Sequence, residues 1–166
     1  MFSKILRSMI VVPLLLAAGT VAASADTTGT GSGMSITVPS SATLVARVAV
    51  PLTVQITCSA PSLSNYYVYY GPFVNSGSSF TVSQASGRGV NSASGSISGA
   101  IICDGASHSY DVSILASSPF HTGQAAITAS ASWGESFYGC LNVAPYGCNY
   151  FNLQDSASAQ GALTIN

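Results

Sequence analysis

Charge is what this sequence has least of. Four Lys/Arg and five Asp/Glu make up 5% of its 166 residues, against about 25% in an ordinary soluble domain. Its one lysine is Lys4, and beyond residue 25 the only cations are Arg47 and Arg88. Phosphate backbones and anionic lipid headgroups are held by clustered Lys and Arg. Nucleic acid and membrane surfaces are therefore excluded as partners. The polar surface must be made of Ser, Thr, Gly, Asn and Gln. Such a surface repels its own copies weakly, which favours self-association.

Other absences narrow the chemistry. Two histidines, His108 and His121, and no C-x-x-C pair leave too few ligands for a zinc or copper centre. No metal or other cofactor is expected. The sequence has no G-x-S-x-G elbow for a serine nucleophile. Gly87-Arg88-Gly89 is too short for a phosphate cradle and precedes no helical pattern. His108 lies between Asp104 and Asp111 in an expected hairpin, where an exposed turn residue is the simpler reading than a general base. Glu135 and Asp155, the late acids, fall in stretches read as loops and do not suggest a glycosidase pair. No catalytic residues are assigned, and an enzyme is not expected. No Asn-x-Ser/Thr sequon is present, so N-glycosylation is not expected either.

What the chain does have begins with a leader. Lys4 and Arg7 precede an apolar run from Met9 to Ala18, and Ala23-Ser24-Ala25 forms an A-x-A cleavage site. Pro13 and Gly19 interrupt the run well short of the roughly 20 apolar residues of a membrane span. Residues 1–25 are therefore read as a signal peptide, 26–33 (DTTGTGSG) as a flexible linker and 34–166 as one domain. After cleavage no membrane insertion is expected, and the protein is placed outside the cell. All four cysteines lie in the exported portion. An even count in an oxidising compartment reads as two disulfides. Of three connectivities, Cys58–Cys103 and Cys140–Cys148 are favoured. The first pair ends apolar strands, and the second brackets a short Gly/Pro-containing loop.

Alternation supplies the fold. From Leu44 to Cys58 every even position is apolar: Leu44, Ala46, Val48, Val50, Leu52, Val54, Ile56 and Cys58. A period of two marks a strand with one face on a core. The run is too long for one strand, and Pro51 is the expected break. The same period returns at Met34–Val38, Phe80–Val82, Ser94–Cys103, Tyr110–Ala116, Ala125–Trp133 and Ala157–Ile165. About eight strands with turn signals between them, and no helix after the leader, indicate an all-β protein. An antiparallel, disulfide-stapled, immunoglobulin-like β-sandwich fits this pattern, and a small closed barrel fits it too.

The runs TLVARVAVPLTVQITCSAP, CDGASHSYDVSIL and TGQAAITASASWG resemble the short secreted immunoglobulin-like and fibronectin-III-like domains of bacteria, many without an assigned activity. The resemblance covers most of residues 36–165 and implies an architecture. The cysteine loop and the ending GALTIN are also similar to apoproteins of the neocarzinostatin group, immunoglobulin-like proteins that hold a small chromophore. The upstream cysteine spacing departs from that group.

Aromatics mark the candidate binding residues. Between Pro61 and Gly77 stand Tyr66, Tyr67, Tyr69, Tyr70 and Phe73, more than one buried face can take. In a regular strand Tyr66 and Tyr70 would face opposite to Tyr67 and Tyr69, so some must be exposed. Trp133, Phe137, Tyr138, Tyr146 and Tyr150 form a second group around the Cys140–Cys148 loop. Exposed tyrosines with no charge nearby suit stacking on sugar rings or on a protein partner. The expectation is a secreted, non-enzymatic protein of surface association or recognition, whose partner is an extracellular protein or polysaccharide. A carbohydrate- or small-ligand-binding module, or an extracellular enzyme or inhibitor, are the alternatives.

Overall fold

Period-two alternation governs almost the whole molecule. The computed structural model of the chain describes residues 25–166, except Arg88 and residues 144–146. Apart from Ala25, the expected leader lies outside the described residues. The elements are β1 (Thr27–Thr30), β2 (Met34–Val38), β3 (Ser41–Ala42), β4 (Ala49–Ser59), β5 (Tyr66–Ser86), β6 (Gly89–Gly95), β7 (Asp104–Leu115), β8 (Gly123–Leu141) and β9 (Cys148–Ile165). No helix occurs among the described residues.

The nine strands form one hydrogen-bonded sheet in the order β1-β2-β4-β7-β6-β5-β8-β9-β3. Every pairing is antiparallel except β3 with β9, which is parallel. The sheet curls into a half-barrel, so that β1 and β2 lie against β9. Pro39 and Ser40 carry the chain from β2 on one side to β3 on the other, and Thr164 N donates to Ser40 O at 2.8 Å. Inside the curl, Ile36, Val54, Ile56, Phe80, Val82, Ile114, Ile127 and Leu163 are almost fully buried. Each such side chain contributes roughly 1.5–3 kcal/mol by leaving water.

Four local expectations are corrected. The stretch 26–33 carries β1, paired with β2 from Thr27↔Val38 to Thr30↔Ser35, and not a free linker. Two glycines let it dock. A Cβ on Gly29 would strike the Ser158 carbonyl oxygen, and one on Gly161 would strike Thr27. Second, the break in the Leu44–Cys58 run falls before Ala49. Ala46 and Arg47 occupy the left-handed region, with φ of 49° and 63°, and Val48 N and Ala49 N both donate to Val45 O. This turn leaves Ala46 and Val48 exposed, not inward. Pro51 is tolerated inside β4 because β2 pairs only with Gln55–Cys58 and leaves no neighbour on that side of Pro51.

Third, Ser94–Cys103 is a strand only to Gly95. Its remainder is held by side chains of β5, with Ile97 N donating to Ser78 Oγ and Ile101 N to Ser76 Oγ. Fourth, the Tyr-rich stretch is not a connection but the first half of β5, which runs 21 residues. Both disulfides form as expected. Cys58 on β4 meets Cys103, just before β7, at a Cα separation of 4.4 Å. Since Ser59 pairs with Asp104, this bridge ties neighbouring strands at one end instead of spanning the core.

Candidate binding face on β5, β8 and β9

Strands β5, β8 and β9 extend beyond the core as a three-stranded arm. Its end is closed by the Cys140–Cys148 bridge, between directly paired residues of β8 and β9. Leu141 N donates to Gly147 O, and Asn142 ties the loop to the start of β5 through Asn65 O and Ser64 O.

The two faces of this arm differ. On one, Phe137 is 1% exposed. Its ring lies 5.1 Å from that of Tyr66 and 5.4 Å from that of Phe151, while Tyr66 and Phe151 stand 4.7 Å apart. The three rings make a small aromatic core of their own, with edge-to-face and stacked contacts. Tyr66 is thus half-buried packing on that face, apart from the other four candidates.

The opposite face carries Tyr67, Tyr69, Tyr70, Phe73 and Tyr150, each between 63% and 77% exposed. The ring of Tyr138 lies 6.3 Å from Tyr69 and 5.1 Å from Tyr150. Register shifts between Val68 and Tyr70 and between Tyr70 and Phe73 put Tyr67, Tyr70 and Phe73 opposite Cys140, Tyr138 and Ser136. All three β8 partners are even-numbered, so all three aromatics share one face. The extra residue of each β-bulge reverses the alternation that would otherwise separate them.

That face continues down the body in the same register. Behind the aromatic rows come Asn75, Gly134 and Gln154, then Gly77, Ser132 and Ser156, then Ser79, Ser130 and Ser158, then Thr81, Thr128 and Gln160. A last row holds Ser83, Ala126 and Ala162. None of these residues is charged. Gly134 has no side chain because Asn75 and Gln154 lie across it, and a Cβ there would stand 2.7 Å from Asn75 Oδ1. Two joined depressions of about 420 and 480 Å³ run along the rows, sharing Ser132 and Ser156 and bordered by Thr30 and Ser32 of the β1–β2 hairpin. These hydroxyl and amide positions were missed in the sequence. Their signal is the polar half of the β8 alternation, Thr128, Ser130, Ser132 and Ser136, between the apolar positions that define the core.

The carboxylates and histidines lie off these rows, with Asp155 bordering the second depression. Glu135 and Asp155 lie within β8 and β9, not in loops. Glu135 is buried beside Val74 and Leu153 on the other face. Asp155 accepts from Ser32 Oγ at 3.1 Å and from Ser156 N at 2.8 Å, anchoring the β1–β2 turn. His108 Nε2 lies 2.8 Å from Asp104 Oδ1. This contact, then the Ala106 N–H, lowers the Asp104 pKa from its ordinary value of 3.8. His121 belongs to the turn before β8, where its backbone N–H donates to the buried Gln84 at 2.9 Å. Among the described residues, no three His, Cys, Asp or Glu side chains gather as a metal site. Tyr146 and Arg88 lie outside the described residues. No family model matches this chain, and no curated protein or solved structure matches it either.

Proposed function

We propose that this chain is an exported, non-enzymatic recognition protein whose contact surface is the aromatic end of the β5–β8–β9 face. The observation that carries the reading is the placement of Tyr67, Tyr69, Tyr70, Phe73 and Tyr150 on one exposed face outside the core. Solvent-exposed aromatics grouped this way mark interaction sites more often than they serve stability. The absence of charge on the face favours a neutral partner, an extracellular protein or a polysaccharide. Two disulfides support an oxidising compartment and hence export.

The strand order also supports an immunoglobulin-like architecture. Read as two halves, it gives β2-β4-β7-β6 and β5-β8-β9-β3. Labelled A to G from β2, with β3 as a second part of A, these are the A-B-E-D and C-F-G sheets of that fold. The β5–β6 pairing joins the halves into one curled sheet here.

The test replaces Tyr67, Tyr69 and Tyr70 with serine and follows melting temperature and binding to cell-surface and polysaccharide preparations. Lost binding at an unchanged melting temperature is the expected result. A fall of many degrees would make these tyrosines structural and remove the proposal. An activity abolished by His108→Ala would instead favour an enzyme.

A further inference from the structure

The aromatic rows and the hydroxyl rows form one surface in continuous register, and this has a consequence for the ligand. We infer that the whole outer face of β5, β8 and β9 is an extended track for a neutral, hydroxyl-rich polymer chain, a polysaccharide strand lying along the β-strands. The inference rests on the recognition reading above and names its partner.

Dimensions come first. From Ala126 to Cys140 the face runs roughly 46 Å at about 3.3 Å per residue, and three strands make it about 14 Å wide. The face is thus roughly three times as long as it is wide. A long, narrow face suits a chain better than a globular partner or a second copy.

Chemistry points the same way. Hydroxyls and carboxamides both donate and accept hydrogen bonds. They match sugar hydroxyls, which do the same, whereas an anion would call for donors alone. Asn75, Gln154, Ser132 and Ser156 supply this mixed set along the second depression. The aromatic rows at the arm end supply flat apolar surfaces for the ring faces. No side chain in the eight rows carries a charge. The carboxylate that borders the second depression, Asp155, is held by Ser32 Oγ and the Ser156 N–H and disfavours an anionic polymer. The depressions of about 420 and 480 Å³ lie within the usual range for ligand sites, about 300–1,000 Å³.

The experiment uses the mature chain with its disulfides. Binding to cellulose, chitin, mannan and starch is measured first. Oligosaccharides from disaccharide to octasaccharide are then prepared from whichever polymer binds. The expected result is an affinity that rises about tenfold or more with chain length. A Ser130→Asp, Ser132→Asp variant, altered only at exposed positions, should lose that gain and keep disaccharide binding. The Tyr67, Tyr69, Tyr70 variant should lose both.

Length-independent binding, or a double Asp variant that binds long chains like the wild type, would overturn the track and leave aromatic recognition standing. Binding to no neutral glycan would also overturn it. If the tyrosine variant then still lost adhesion to cell-surface preparations, recognition would survive with a protein partner. If it lost nothing, both readings would fall. Dimerisation abolished by Ser132→Asp, without glycan binding, would assign the face to a second copy instead.

Discussion

Tyr70 on β5 stands directly across from Tyr138 on β8, on the face of Tyr67 and away from Tyr66. Strict alternation would place Tyr70 with Tyr66. The bulge after Val68 inserts one residue against β8 and turns Tyr70 over. The aromatic run is therefore divided between two tasks: Tyr66 packs on Phe137 and Phe151, while Tyr67, Tyr69, Tyr70 and Phe73 meet solvent.

This division predicts opposite mutational behaviour in one strand. Tyr66→Ala removes two ring contacts and a half-buried side chain, and should cost about 1–3 kcal/mol of stability. Tyr70→Ala, at a position 70% exposed, should stay within about 0.5 kcal/mol of wild type. Denaturant unfolding of the two variants checks this, and equal losses would show that the faces are not distinct.

The turn before β4 should be improvable. Ala46 and Arg47 both adopt positive φ, a conformation that Asn and Gly reach at little steric cost. Ala46→Asn and Arg47→Gly should each raise stability by about 0.5–1 kcal/mol. A melting temperature that falls in the double variant would mean that Arg47 makes a contact outweighing its backbone strain.

These residues also explain how far the sequence could be read. The inward halves of β4, β7, β8 and β9 were legible because a period of two is a local property. The cysteine pairing was legible because two cysteines bracket one short loop, which settles the rest. The Val45–Val48 turn was not, since Ala46-Arg47 carries no turn signature. Strand β1 was hidden because it contributes little apolar surface and docks by close approach, Gly29 against the Ser158 carbonyl and the Thr27 side chain against Gly161. Of the site, the aromatic cluster was visible as composition. Its common face was not, because bulges depend on pairing with β8. The serine and threonine rows looked like ordinary solvent-facing positions until the register aligned them.

Gly161 should be intolerant for the same reason. A Cβ there meets Thr27, so Gly161→Val should displace β1 without unfolding the core beneath. Amide exchange should accelerate at Thr27–Thr30 and stay slow at Ile127 and Leu163. Uniform acceleration would show that β1 and the core unfold together, as one cooperative unit.

Acid should weaken the β4–β7 end through Asp104. Its carboxyl is held below 3.8, first by His108 and then by the Ala106 N–H. A lowered folded-state pKa means that the unfolded chain binds more protons across the interval between the two values. The contribution is therefore complete above about pH 4–5, where both states are ionised, and disappears as pH falls through the folded pKa. Asp104→Asn removes the titrating group, so the stability difference between wild type and this variant should shrink as the pH is lowered through that interval. His108→Ala removes the largest cause of the shift and should flatten the same part of the curve. Denaturant unfolding across pH 2 to 6 would measure it. Wild-type and Asp104→Asn curves that stay parallel throughout would show that the Asp104–His108 contact does not persist in solution. The start of β7 would then be held by the Cys58–Cys103 bridge and its pairing with β4 alone.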